Sequence, residues 1–161
     1  MAVHKLVLDD AFDDAVFVLL AIHCRLEDYR LAYLLNKNLG VSLARKDNDI
    51  DSIKKQASYS IYEWEDERQL ITWSLVSNIC KTEEIKQTNQ KSLFDTEEKI
   101  IKTFHLLPEH KTVNYFLKID GDFGQHKEKY ILETILKIPQ IATAYSIDSS
   151  QLKSKDNLIF N

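Results

Sequence analysis

An apolar run without polar alternation, Val16–His23 (VFVLLAIH), constrains the fold of this chain more than any other segment. Bulky and β-branched residues favour strands, and a strand whose side chains are apolar on both faces must be covered by protein on both faces. The run therefore predicts a central strand with protein on each side of its sheet. Its seven apolar residues, from Val16 to Ile22, are too few for a membrane helix, which needs about 20.

The spacing of the apolar residues changes directly after this run. Four leucines at i, i+3, i+4 and i+8 predict one stripe of a helix within Leu26–Leu39; they are Leu31, Leu34, Leu35 and Leu39. Asp28 near the start and Lys37 near the end suit the helix dipole. Gly40 then stands where a left-handed residue commonly follows a helix.

The rest of the chain predicts mainly strands and turns. Alternating or β-rich segments predict further strands at Val41–Arg45, Ser58–Trp64, Leu70–Cys80, Lys99–Leu107, Thr112–Asp120 and Ile141–Ile147. Two hairpins are expected. One joins Ser58–Trp64 to Leu70–Cys80, and the other joins Lys99–Leu107 to Thr112–Asp120 through Pro108. A second helix is expected at Gln125–Lys137, ended by Pro139, and the polar stretches Lys46–Gln56 and Lys81–Asp95 are interpreted as connections.

This order of elements does not repeat βα units, so it argues against a doubly wound parallel sheet. It predicts an α+β fold with a largely antiparallel sheet of about five to seven strands and two helices packed on one face. No change of composition marks an internal boundary. We expect a single domain over residues 1–148, followed by a polar C-terminal tail, 149–161, that ends in an apolar triplet.

Composition excludes several classes of function. The 161 residues include only 3 Gly and 2 Pro, too few for a glycine-rich phosphate loop. The net charge of −4 argues against nucleic acid as a partner. His4 and Lys5 are followed by four aspartates before the apolar run, so we expect no export signal. The 2 cysteines are too sparse for a disulfide framework. We therefore expect a cytoplasmic protein that binds no membrane.

Catalytic and metal-binding constellations are missing from the sequence. Cys24 directly follows His23, and neighbouring strand residues point to opposite faces, so the two cannot form a dyad. The histidines have no metal-motif spacing. Asp47, Asp49 and Asp51 repeat as in a calcium loop, but that loop's glycine and bidentate glutamate are absent. We expect no catalytic residue, no metal and no cofactor.

Two features suggest binding to another protein. Tyr62 and Trp64 share one face of the first predicted hairpin, and exposed aromatics anchor interfaces, although they could instead pack in the core. The second feature is an apolar triplet beside the C-terminus, which either folds back on the domain or docks on a partner; it comprises Leu158, Ile159 and Phe160.

Several segments resemble a family of small bacterial proteins named IPExxxVDY. The resemblance lies in Asp28–Asn36 (DYRLAYLLN), in Tyr115–Ile119 (YFLKI) and in the pair Ile138 and Pro139. The glutamate of the family's name is Gln140 here, and its Val-Asp-Tyr falls on Ala144–Ser146. The resemblance implies a soluble bacterial protein and supplies no activity or site residue, since the family is uncharacterised.

Our leading hypothesis is a non-enzymatic protein-binding or adaptor protein. The alternative is a small enzyme or a carrier of an anionic ligand, with a pocket between helix and sheet. For that alternative, Tyr29 and Arg30 on the first helix are the candidate pocket residues, because a guanidinium beside a phenol can receive an anion.

Overall fold

The computed structural model describes residues 17–52, 56–86, 98–122 and 124–160. The strands are β1 (Phe17–Cys24), β2 (Ala44–Arg45), β3 (Ile50–Ser52), β4 (Ala57–Tyr59), β5 (Ile61–Asp66), β6 (Ile71–Ser77), β7 (Ile79–Lys86), β8 (Glu98–His105), β9 (Tyr115–Asp120) and β10 (Ile141–Ile147). The helices are α1 (Asp28–Leu39) and α2 (Gln125–Leu136), with short 3-10 turns at Pro108–His110, Ser149–Gln151 and Lys155–Leu158.

The main sheet has six strands in the order β10-β1-β9-β6-β5-β2, and every neighbouring pair is antiparallel. This confirms the predicted α+β class and the size of the sheet. β1 is an interior strand, and its two faces belong to two different cores. Leu20 and Ile22 pack in one core, whereas Leu19 and Ala21 pack in the other. The apolar run lacks alternation because both of its faces are covered.

The first core lies between the sheet and the two helices. Leu31 and Leu35 of α1 and Ile131 and Ile135 of α2 are buried in it together, so both helices cover one face as predicted. Gly40 ends α1 with φ 66° and ψ 32°, a left-handed conformation that favours glycine.

The second core covers the opposite face of the sheet. Two two-stranded sheets, β3–β4 and β7–β8, lie on this side with the segment between β8 and β9 and the C-terminal residues. The apolar side chains buried there include Tyr59, Leu107, Val113, Phe116 and Leu158. Strand β3 occupies part of the segment Lys46–Gln56, which was expected to be a polar connection, so that prediction was wrong.

Two predicted strands are each divided in the structure. Ser60 separates β4 from β5, and Asn78 separates β6 from β7, so each half joins a different sheet. The predicted pairing of β5 with β6 is confirmed, with Trp64 opposite Trp73. The expected connection Lys81–Asp95 begins as strand up to Lys86, and residues 87–95 lie outside the described residues.

The second predicted hairpin does not form. β8 pairs with β7, whereas β9 lies between β1 and β6 in the main sheet. The segment between β8 and β9 instead carries Leu106, Leu107 and Val113 into the second core. Between these buried side chains the chain passes from the β7–β8 sheet to the main sheet.

The C-terminal residues 149–160 pack on the domain through the second core, where Leu158 is 1% exposed. The acidic N-terminal segment, residues 1–16, and Asn161 lie outside the described residues. Within the described ranges, neither helix has the length and apolar character needed to cross a membrane.

Candidate functional site

The aromatic side chains of the β5–β6 hairpin fill the core between sheet and helices. Tyr62 is 8% exposed and Trp73 is 7% exposed, and Trp64 packs half-buried against the same core. The guanidinium of Arg45 lies over the Tyr62 ring, 5.7 Å from its centre. Burial raises the pKa of the Tyr62 phenol. Of the two possibilities for these aromatics, packing in the core holds for Tyr62, which is buried in the same core as Leu31 and Leu35 of α1.

The C-terminal triplet is divided among three environments. Leu158 is buried in the second core, and Phe160 packs against that core with the Lys118 ammonium 5.1 Å from its ring centre. Ile159, between them, is 64% exposed. Because its two neighbours are held, the isoleucine side chain is presented to solvent at a fixed place.

Polar contacts hold the segment that carries Ile159. The Glu109 carboxylate accepts hydrogen bonds from the Ser154 hydroxyl and from the backbone N–H groups of Lys153 at 2.9 Å and Ser154 at 3.4 Å. Desolvation alone would raise the pKa of Glu109, but these hydrogen bonds together outweigh it and lower the pKa. The Asn157 amide donates to the Leu106 carbonyl at 2.8 Å.

Two cavities border Ile159, and we call them together the C-terminal groove. The smaller, about 300 Å³, is lined by Ile50, Asp51, Ser52, Tyr59, His105, Leu106, Asp156, Asn157 and Ile159. The larger, about 590 Å³, is lined by Arg45, Lys46, Asp47, Asn48, Asp49, Ile50, Asp51, Ile61, Ile159 and Phe160. Ile50, Asp51 and Ile159 belong to both linings, so the two isoleucines form an apolar centre where the cavities join, with the Asp51 carboxylate beside it.

The charged side chains around this apolar centre are mostly acidic. Four aspartates line the groove, namely Asp47, Asp49, Asp51 and Asp156. Arg45 pairs with Asp49, and Lys46 pairs with Glu63 at 3.2 Å. Carboxylates therefore outnumber the cations that line the groove, and both of those cations have an acidic partner.

Asp49, the middle residue of the calcium-like repeat Asp47, Asp49 and Asp51, has a structural role of its own. Asp49 forms the ion pair with Arg45 and also accepts a hydrogen bond from the Ser58 hydroxyl at 3.1 Å. Over the described ranges, histidine, cysteine and acidic side chains form no group of three that could hold a metal ion.

Tyr29 and Arg30, the candidates for an anion-binding pocket, are both exposed on α1. Tyr29 is 58% exposed, and a hydrogen bond with the Glu27 carboxylate raises the pKa of its phenol. The C-terminal groove and the cavity beside His23 are lined by other residues. Exposed side chains of this kind do not enclose a ligand, so the geometry adds no support to the alternative hypothesis.

His23 and Cys24 lie beside a third cavity, of about 550 Å³, with Arg25, Asn114, Pro139, Gln140 and Ala142. The Cys24 side chain packs in the first core, while the His23 imidazole forms a hydrogen bond of 3.0 Å with the Tyr145 hydroxyl. Burial raises the pKa of the Cys24 thiol. A protonated thiol on the opposite face from the histidine is not an activated nucleophile.

The sequence missed most of the residues that surround Ile159. Ile50 and Asp51 belong to a strand of three residues inside a stretch that reads as polar, and Asp156 lies about one hundred residues further along the chain. The apolar triplet and the repeat of Asp47, Asp49 and Asp51 gave the local signals. Comparisons with protein-family models, with curated proteins and with solved structures find no match to this chain.

Proposed function

We propose that this protein is a non-enzymatic protein-binding protein whose partner docks in the C-terminal groove. The observation that carries the proposal is Ile159, which is 64% exposed although both of its neighbours pack on the domain. Single exposed apolar residues are common on protein surfaces. Ile159 differs from an isolated one because it lines two adjoining cavities that can receive partner side chains.

The lining of the groove indicates the chemistry of the partner. Ile50 and Ile159 offer an apolar centre, and the surrounding aspartates carry negative charge. A protein segment with an apolar side chain flanked by lysine or arginine complements this arrangement, because opposite charges at the rim favour encounter and fix orientation. We therefore propose an apolar and basic segment as the ligand.

The test compares two isoleucines of matched exposure. Ile159→Asp changes the groove, while Ile101→Asp changes β8, where Ile101 is 63% exposed. Each tagged variant is used to capture proteins from the cells that make it. We expect a discrete partner with the wild type and with Ile101→Asp, and its loss with Ile159→Asp. Exposed substitutions typically change the unfolding free energy by less than about 0.5 kcal/mol, so all three proteins should melt alike.

Retention of the partner by Ile159→Asp, or equal loss with both variants, would contradict the proposal. Deletion of the whole triplet is not a suitable test. It removes Leu158, which is 1% exposed, and would weaken binding by unfolding the segment rather than by removing a contact.

We also propose a cytoplasmic location. It is supported by two cysteines that are both free, as expected in a reducing compartment. Membership of the IPExxxVDY family stays a prediction from the residues that resemble it.

A further inference from the structure

The two edges of the main sheet differ in length and charge. One edge is β2, which has two residues and includes Arg45 in its ion pair with Asp49. The other is β10, whose seven residues (IATAYSI) include neither a charged residue nor a proline. Charges and prolines commonly protect sheet edges from pairing with another chain, and β10 has neither.

The backbone geometry shows which groups of β10 face outward. The Ser77 N–H donates to the Ser60 carbonyl at 3.1 Å, so Ser77 directs its backbone groups to the chain of β5. Successive residues of an antiparallel strand direct their backbone groups to alternate neighbours. Val76 and its partner Phe116 therefore face each other, and Tyr115 faces its partner Ile22 on β1. Ile22 thus faces β9, so Ala21 and His23 face β10.

The same alternation applies to β10. Ala21 is opposite Tyr145, and His23 is opposite Thr143. The backbone groups of Thr143 and Tyr145 are therefore directed to β1, and those of Ala144 and Ser146 are directed to the open side of the sheet. No other described strand pairs with that side.

An apolar stripe of α2 lies next to this edge. The Ser146 hydroxyl donates to the Glu128 carboxylate at 2.6 Å, which places Glu128 above β10. Leu132 and Leu136 follow at intervals of four and share this face of the helix. Leu132 packs only partly in the core, and Leu136 is 47% exposed. The open edge is thus continuous with exposed leucine surface.

We propose that the protein forms a two-fold symmetric homodimer in which β10 pairs antiparallel with β10 of a second copy. A pairing centred on Ala144 uses the whole strand and joins two six-stranded sheets into one. Thr143 then lies opposite Tyr145 of the second copy, and Leu132 and Leu136 of the two copies approach each other. A two-fold interface must be self-complementary, and an uncharged strand meets its own copy without like-charge repulsion.

Charge at the ends of the strand also favours a second copy. Lys137 precedes β10 and Asp148 follows it. In the pairing centred on Ala144, Asp148 of one copy lies opposite Gln140 of the other, three residues after Lys137, so each end of the paired strands has an aspartate from one copy and a lysine from the other.

The experiment measures molar mass by light scattering after size-exclusion chromatography. We expect the wild type to have twice the chain mass of 18.8 kDa. The variants T143K/Y145K and T143E/Y145E each place like charges opposite one another and should be monomeric. An equal mixture of the two variants should regain the dimer mass, which excludes misfolding as the cause of dissociation. Ala44→Lys on β2, the other edge, should remain dimeric.

A measurement on the wild type keeps the test independent of the variants. In hydrogen exchange, the amides of Ala144 and Ser146 should exchange more slowly in concentrated than in dilute samples. A wild type that is monomeric at every concentration would overturn the proposal, as would a dimer that persists in both double variants. Protection of these amides in a monomeric sample would show that another segment of the same chain covers the edge, and would also overturn it.

Discussion

The side-chain oxygen of Asn78 accepts a hydrogen bond of 2.9 Å from the backbone N–H of Leu107, 29 residues further along the chain. The amide nitrogen of the same side chain donates to the carbonyls of His110 and Val113, each at 2.8 Å. Asn78 itself is fully buried. One side chain therefore connects the break between β6 and β7 to the segment that precedes β9.

We predict that Asn78→Ala lowers the free energy of unfolding by about 2 kcal/mol or more, because the Leu107 N–H and the Val113 carbonyl lose this partner and each such buried group costs about 1–3 kcal/mol. The His110 carbonyl keeps its hydrogen bond from the Val113 N–H. Asn78→Asp should also destabilise, because a carboxylate cannot donate to the carbonyls of His110 and Val113. Urea denaturation of both variants measures the effect. Asn38→Ala, at an exposed amide that donates to its own helix, is the control. A loss below about 1 kcal/mol for Asn78→Ala would show that the contacts are replaceable.

The Glu109 carboxylate gives stability a specific pH dependence. Its pKa is lowered in the folded protein from an ordinary value of 4.5. A depressed folded pKa means that the ionised form stabilises the fold above pH 4.5, and that this contribution disappears as the pH falls through the folded pKa. Glu109→Gln should therefore be less stable than the wild type near pH 7 and equally stable at low pH.

Thermal or urea unfolding from pH 7 to pH 3 measures this difference. Glu67→Gln, in the exposed turn between β5 and β6, removes the same charge without those contacts and is the control. A difference between the wild type and Glu109→Gln that stays constant over this range would mean that the carboxylate charge does not hold the C-terminal segment.

The two cysteines should differ in reactivity. Cys24 is 5% exposed and burial raises the pKa of its thiol, so little thiolate is available at neutral pH. Cys80 is only partly buried. Alkylation of the native protein followed by peptide mass spectrometry should modify Cys80 first and Cys24 only on unfolding. Faster modification of Cys24 would contradict its burial and would restore it as a candidate nucleophile.

Local sequence patterns were sufficient to predict α1 and β1, because the residues that form each pattern lie within the element itself or directly beside it. The leucine spacing and Gly40 predicted α1, and the unbroken apolar run predicted that β1 is covered on both faces. The break at Asn78 could not be predicted in this way. The alternation continues through it, and the groups that bind its side chain come from residues 107–113.

At the candidate site, too, the sequence identified some residues but not their exposure. The sequence singled out the C-terminal triplet but did not distinguish Leu158, which is buried, from Ile159, which is exposed. It left open whether Tyr62 is exposed or packs in the core, because the α1 residues that are buried in the same core lie more than twenty positions earlier in the chain.

The sequence by itself determined the spacing of the apolar residues, the end of α1 at Gly40 and the fold class of this protein, because those properties depend on neighbours within one or two turns or along one strand. The tertiary structure alone decided which strands pair, which apolar side chains remain exposed, and that Ile50 and Ile159 meet at one groove. Those outcomes depend on contacts between distant residues, and two neighbours in the chain such as Leu158 and Ile159 can therefore have opposite environments.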